Sequence, residues 1–382
     1  MNIVIATDSF KGCCTTLEAA AEFKRGILRV FPNACINIIP IADGGEGTVS
    51  AVLGALGGSL KSVRVKGPLG QETDAVYGIA PGGRAVLEMA AASGHTLVKG
   101  KKDPMRASTY GTGELIKAAL DSGCTDIYIG IGGSATNDGG AGMAEALGVR
   151  FADQSGRPVP PGGGSLHLID TIDISNTDKR LKNVSITVMS DVTNPLCGEN
   201  GASAVYGPQK GATPEQVKLL DSGLEHLARK ACKQLHTDFA MMPGAGAAGG
   251  LGFGLMAFTG ARLRSGIEAI LDLGGFDGLA RDADLIITGE GNLDAQSAMG
   301  KVLSGIARRA KAYGKPVIAI AGGIGAGAER IYEYGIDAAI SSTIRPMTVE
   351  EAMGAAGELL AAASERAMRL VKIGMLMKGK GE

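Results

Sequence analysis

The chain has 382 residues, with 38 basic against 39 acidic side chains and a formal net charge of −1, so it lacks the basic surplus that nucleic acid or an anionic membrane attracts. Hydrophobic residues at 45% and charged residues at 20% exclude a disordered or fibrous chain. The 60 glycines, with no Trp and 4% aromatics, are about twice the usual share of roughly 7% and follow no three-residue period, which points to turns lined by backbone.

At about 150 residues per domain the length predicts two domains, or two with an insertion. The opening run Asn2-Ile3-Val4-Ile5-Ala6-Thr7 has no basic segment before it and ends at Asp8, so it reads as a first strand and not as a secretory leader. Thr15 and Glu18 have capping-box spacing for a helix, followed by a strand at Ile36–Ile41 and a helix stopped by Gly57. Strands at Val63–Lys66, Ala75–Ile79 and Ala85–Met89 have only turn-sized links, which predicts an antiparallel meander. Then come a helix closed by Gly123 and strands at Ile127–Ile131 and Ser185–Ser190. Thr213, Pro214 and Gln216 open another helix. The stretch Phe239–Ala261 carries no charge and is long enough to cross a bilayer. Pro243 and its many glycines make a buried loop entering a helix the better reading. The last strands are Leu285–Thr288, Val317–Ala321 and Ala338–Ser341, with a helix stop at Gly314 and a capping box at Thr348 and Glu351. The alternation predicts an α/β protein. The economical reading is that residues 1–60 plus 265–382 form a flavodoxin-like parallel-sheet domain, with 61–264 as a second, mixed α/β domain inserted into it.

The six cysteines form no C-x-x-C pair and no zinc-spaced cluster, as expected of reduced thiols in a cytoplasm. There is no Walker A loop, no protein-kinase signature set and no G-x-S-x-G elbow. His95, His167, His226 and His236 lie outside the glycine loops in sequence and read as surface or packing residues.

Loops that leave the C-terminal ends of parallel strands line the ligand crevice of such sheets. Here they are Asp8-Ser9-Phe10-Lys11-Gly12, Asp43-Gly44-Gly45-Glu46-Gly47-Thr48 and Gly289-Glu290-Gly291-Asn292-Leu293-Asp294. Carboxylates beside glycines suit Mg²⁺ held together with phosphates; each one alone reads equally well as a helix cap. In the middle region Gly130-Ile131-Gly132-Gly133-Ser134-Ala135-Thr136-Asn137-Asp138-Gly139-Gly140 follows a strand, and its amides and hydroxyls suit an anion. It also matches a dinucleotide fingerprint, with Asp153 at ribose distance, so an NAD(P)-dependent oxidoreductase is a second reading and a small-anion binding module a third. Asp191, ending another strand, suits a general base taking a proton from an alcohol, or else a turn cap before Asn194-Pro195.

Taken together, these loops resemble the bacterial glycerate kinase family, as do Asp191-Val192-Thr193-Asn194-Pro195-Leu196, Gly207-Pro208-Gln209-Lys210-Gly211-Ala212, Gly244-Ala245-Gly246-Ala247-Ala248-Gly249-Gly250 and Thr288-Gly289-Glu290-Gly291. The resemblance spans nearly the whole chain in order. It implies ATP- and Mg²⁺-dependent phosphorylation of D-glycerate, usually to 2-phosphoglycerate, with 3-phosphoglycerate as the alternative product. It also implies a place in galactarate, glucarate or glyoxylate breakdown and an active site in the cleft between two domains. Thr7 and Cys13-Cys14 depart from the common pattern, and Asn292 stands where the family often carries arginine. On this reading Asp191 is the base and Lys11 a cation for the substrate carboxylate or the moving phosphoryl group. Ser9, Gly132, Gly133, Ser134, Thr136, Asn137, Lys210 and Lys301 bind substrate or phosphate, and Asp43, Glu46, Glu290 and Asp294 form the Mg²⁺ shell. Neither nucleic acid nor membrane is expected as a partner; a homodimer is compatible with the sequence, which fixes no oligomeric state.

Overall fold

A computed structural model describes residues 1–41, 45, 47–294 and 301–378. Its strands are β1 Asn2–Thr7, β2 Cys35–Pro40, β3 Ser59–Lys66, β4 Glu72–Ala80, β5 Arg84–Glu88, β6 Asp126–Gly130, β7 Arg150–Ala152, β8 Thr171–Asp173, β9 Ser185–Met189, β10 Arg262–Arg264, β11 Leu285–Leu293, β12 Val317–Ile324 and β13 Ala338–Ser341. The chain forms two compact units, one of Met1–Ala42, Gly54–Leu56 and Ile270–Glu382, the other of Asp43–Leu53 and Gly57–Ala269.

The first unit is built on a parallel sheet in the order β13-β12-β11-β1-β2. β1 has its sequence successor on one side and β11 on the other, so the strand order reverses between β1 and β11, the place where such sheets open a crevice. The helix Thr16–Val30 starts where Thr15 and Glu18 form the expected capping box. Its buried residues Ala19, Ala20, Phe23, Gly26 and Ile27 recur at helical spacing and face the sheet core with Ile3, Ile5, Ile287 and Ile320. Each fully buried Ile or Phe there stabilises the fold by about 1.5–3 kcal/mol. The helix Ala356–Lys378 lies against Thr16–Val30 at Gly26, where a Cβ would collide with Ser364 and the Ala361 carbonyl. The Ser364 hydroxyl donates to the Phe23 carbonyl at 2.9 Å, which closes that contact.

The second unit carries a mixed sheet in the order β10-β9-β6-β5-β4-β3. β3, β4 and β5 form the expected antiparallel meander, while β5, β6, β9 and β10 run parallel. The architecture is therefore mixed α/β: among the described residues a parallel sheet, a mixed sheet and an antiparallel pair of β7 with β8. Leu87, Met89, Leu115, Ile116, Ile127, Ile129, Val188, Leu251 and Leu255 fill one core cluster. Phe151, Leu224, Leu227, Phe253 and Phe258 fill another.

Several local expectations change. β11 runs on to Leu293 where a loop was expected after Thr288, because β12 extends in parallel and supplies partners, Glu290 opposite Ala321 and Asn292 opposite Gly323. β7, β8 and β10 are three residues each, too short to show a period-two pattern. The uncharged stretch enters the helix Ala247–Thr259, whose apolar side chains are mostly buried. Among the described residues no helix is long and apolar enough to cross a membrane.

Candidate functional site

In the second unit β5, β6 and β9 end side by side, and their loops enclose a cavity of about 590 Å³. The glycine loop after β6 is held by a short backbone ladder: the Ala135 amide donates to the Ser93 carbonyl at 3.0 Å and the His95 amide to the Gly133 carbonyl at 2.9 Å. The N–H groups of Gly132, Gly133 and Ser134 meet no acceptor among the described residues, and all three residues line the cavity. Gly133 has φ +73, a conformation open to glycine and strained for a side chain. Successive uncommitted amides of this kind form an anion cradle.

Behind the cradle lies Asp138, fully buried. Its carboxylate accepts from the Thr109 amide at 2.7 Å, the Thr109 hydroxyl at 2.9 Å and the amides of Gly140 and Gly142 at 3.2 Å each. Burial pushes its pKa up, and these hydrogen bonds oppose the shift. Asn137 donates from Nδ2 to the Ser203 hydroxyl at 2.9 Å. Thr136 Oγ1 and Asn137 Oδ1 are buried without a hydrogen-bond partner among the described residues. Lys210, 4% exposed, donates from Nζ to the Thr136 carbonyl at 2.7 Å. Burial lowers its pKa to about 7, against the pull of Asp138.

The glycine run 244–250 is a packing device for the same loop. Gly249 (φ +68) and Gly250 (φ +87) let the chain kink so that the Gly249 carbonyl accepts from the Gly139 amide at 3.0 Å. A Cβ on Gly249 would collide with the Thr136 carbonyl. Asp191, after β9, lines the cavity with Gly132, Gly133, Ser134 and Lys210. Thr136 and Asn137 do not line it: they are the buried back of the cradle.

The first unit has its own cavity of about 620 Å³ at the β1/β11 reversal. Asp8, Ser9, Lys11, Glu290 and Asp294 line one side, and Met347, Val349, Met353 and Leu360 supply an apolar wall. Asp8 Oδ1 accepts from the Ser9 amide at 2.6 Å. Asn292 donates from Nδ2 to Asp294 Oδ2 at 2.8 Å; it orients a carboxylate and supplies no cation. Among the described residues no cluster of three or more His, Cys, Asp or Glu side chains could by itself hold a metal ion. Glu290 and Asp294 still suit Mg²⁺, which binds through one or two hard carboxylate oxygens and leaves its other positions to water and phosphate. Asp43 and Glu46 lie outside the described residues, as does the side chain of Lys301, whose backbone opens the helix Lys301–Lys311.

Asp8 lines the first cavity as the crevice-loop reading expects, though no role was assigned to it; sequence reasoning gave no site role to His95, Lys102, Asp103 and Gln209, which line the second. Lys102 donates from Nζ to the Gln209 carbonyl at 2.9 Å. His95, which lies outside the glycine loops in sequence and reads there as a surface or packing residue, bonds to Gly133. The signal was available, since His95 closely follows the end of β5 and post-strand position marks the other site residues. His226 fits the packing reading, with Nε2 against the Ile169 carbonyl at 2.6 Å, and His236 caps the helix Pro214–Leu235. Asp153, the ribose candidate of the dinucleotide reading, is engaged by the Ser155 and Arg157 amides and the Arg157 guanidinium.

The model of the glycerate kinase family matches residues 3–372. The chain is 51% identical over 360 residues to a glycerate kinase of Halalkalibacterium halodurans, covering 94% of this chain and 95% of that one. It is 48% identical over 381 residues to the glycerate 2-kinase of Escherichia coli, 99% of this chain and 100% of the other. A crystal structure described as that of a candidate glycerate kinase 2 from Salmonella typhimurium superposes with a TM-score of 0.89 at 46% identity, over 98% of this chain and 99% of that one.

Proposed function

The chain belongs to the glycerate kinase family, and from that premise we propose that this kinase transfers the γ-phosphoryl group of ATP to D-glycerate with Mg²⁺, giving 2-phosphoglycerate. The observation that carries the reading beyond the family is the row of uncommitted amides at Gly132, Gly133 and Ser134 lining one cavity with Asp191. Phosphoryl transfer needs in-line positioning and neutralised charge more than covalent help, and amide dipoles beside Asp191 support that reading. Bound Mg²⁺ would supply charge neutralisation on the phosphates.

Each residue has a task in this account. Asp191 accepts the proton of the attacking hydroxyl. The amide cradle holds an anionic group, and Lys210 together with Asp138, Thr136 and Asn137 keeps the cradle in shape from behind. In the first unit Lys11 and Ser9 bind an anionic oxygen, and Glu290 and Asp294 offer carboxylates to Mg²⁺; Asp43 and Glu46, outside the described residues, are further candidates for that role. A cytoplasmic setting and a place in sugar-acid or glyoxylate breakdown belong to the same proposal. The direct test is ADP release on mixing protein, ATP, Mg²⁺ and D-glycerate. The reading requires release that depends on glycerate, and release no faster than without glycerate would refute it.

A further inference from the structure

His95 stands at the exposed edge of the amide cradle with no role in the scheme above. It lines the same cavity as Ser134 and Asp191. Its backbone amide and its Nδ1 both reach the Gly133 carbonyl at 2.9 Å. A carbonyl only accepts, so Nδ1 carries the proton, and in the neutral form of the ring the lone pair then stands on Nε2. Nε2 lies across the ring from Gly133 and has no partner among the described residues. The ring is thus locked in one tautomer by the loop that forms the cradle. It also has room there: a Cβ on Gly133 would stand 3.7 Å from Nδ1.

Such a nitrogen offers a hydrogen-bond acceptor at the rim of a site whose other groups suit anions. A lone pair repels a carboxylate or phosphate and attracts a hydroxyl. D-Glycerate has two hydroxyls, and Asp191 takes the one that attacks. The geometry points to His95 as a specificity-determining residue, whose Nε2 accepts a hydrogen bond from the C3 hydroxyl of D-glycerate, the one left unphosphorylated. This rests on the reading of the protein as a glycerate 2-kinase. A site that expects a hydroxyl leaves its own polar group unpaired with an analogue lacking it, and so discriminates against that analogue.

Two variants separate this contact from the clamp on Gly133. In His95→Asn the side-chain amide stands near the place of Nδ1, so the donor to Gly133 survives and the acceptor at Nε2 is lost. In His95→Gln the amide reaches the place of Nε2 and the clamp is released. One neutral hydrogen bond corresponds to about a three- to tenfold change in binding. We expect His95→Asn to raise the KM for D-glycerate by that factor with kcat within about threefold, and His95→Gln to stay closer to wild type. D-Lactate, which lacks the C3 hydroxyl, should compete equally well against wild type and His95→Asn. A wild-type KM in His95→Asn would overturn the inference. So would greater damage in His95→Gln, or a loss of D-lactate competition in His95→Asn as large as the loss for glycerate. A wild-type protein inert toward D-glycerate would instead remove the functional reading beneath it.

Discussion

Lys210 and Thr136 are joined by a 2.7 Å hydrogen bond from a buried ammonium to a main-chain carbonyl. The sequence makes Lys210 a phosphate cation. The structure gives its Nζ a partner in the back of the glycine loop, so the same residue that lines the cavity also braces the cradle. Its pH behaviour follows from burial. With a folded-state pKa of about 7 against 10.5 for the free side chain, the unfolded chain holds more protons between those values, and stability rises with pH across that window. Below about pH 7 both states carry the charge and the term is constant. Urea unfolding at pH 7 and pH 9 should show wild type gaining stability relative to Lys210→Met. Parallel pH trends in the two proteins would contradict this.

Asp191→Asn should lower kcat by about two orders of magnitude or more, as general bases contribute about 10²–10⁴. The fold should be unaffected, since the replacement is isosteric and the residue lines a cavity. A kcat within a few-fold of wild type would remove Asp191 from the proton path.

The glycine run ahead of the helix Ala247–Thr259 makes a stability prediction. Gly249→Ala puts a side chain on φ +68 and drives it into the Thr136 carbonyl, so unfolding should become easier by about 1–3 kcal/mol or more. Chemical denaturation reads this directly. An unchanged midpoint would show that the loop and the kink are not packed as described.

In the first unit the Asn292 amide orients Asp294. Asp294→Asn should raise the Mg²⁺ concentration needed for half-maximal rate, because a carboxylate is exchanged for a neutral ligand beside phosphates. An identical Mg²⁺ titration would take Asp294 out of the metal shell.

Much of this was legible in the chain. Capping boxes at Thr15, Thr213 and Thr348 all form, since they depend on residues three apart and on nothing distant. The meander was readable from its short links. What escaped the sequence depends on neighbours far along the chain. β11 lengthens because β12 does, and the run 244–250 makes sense once it lies on the loop 136–140. His95 joins the cradle across a separation of 38 residues. Thr136 and Asn137 illustrate the same limit: composition identified a polar loop, and packing decided that these two face inward.

The most direct test of the account is the product of the reaction. Incubation of the protein with D-glycerate, ATP and Mg²⁺, followed by phosphorus NMR, distinguishes phosphate on the C2 from the C3 oxygen. The account predicts 2-phosphoglycerate together with ADP. Accumulation of 3-phosphoglycerate would contradict the assigned hydroxyls, and the absence of any phosphorylated glycerate would contradict the function itself.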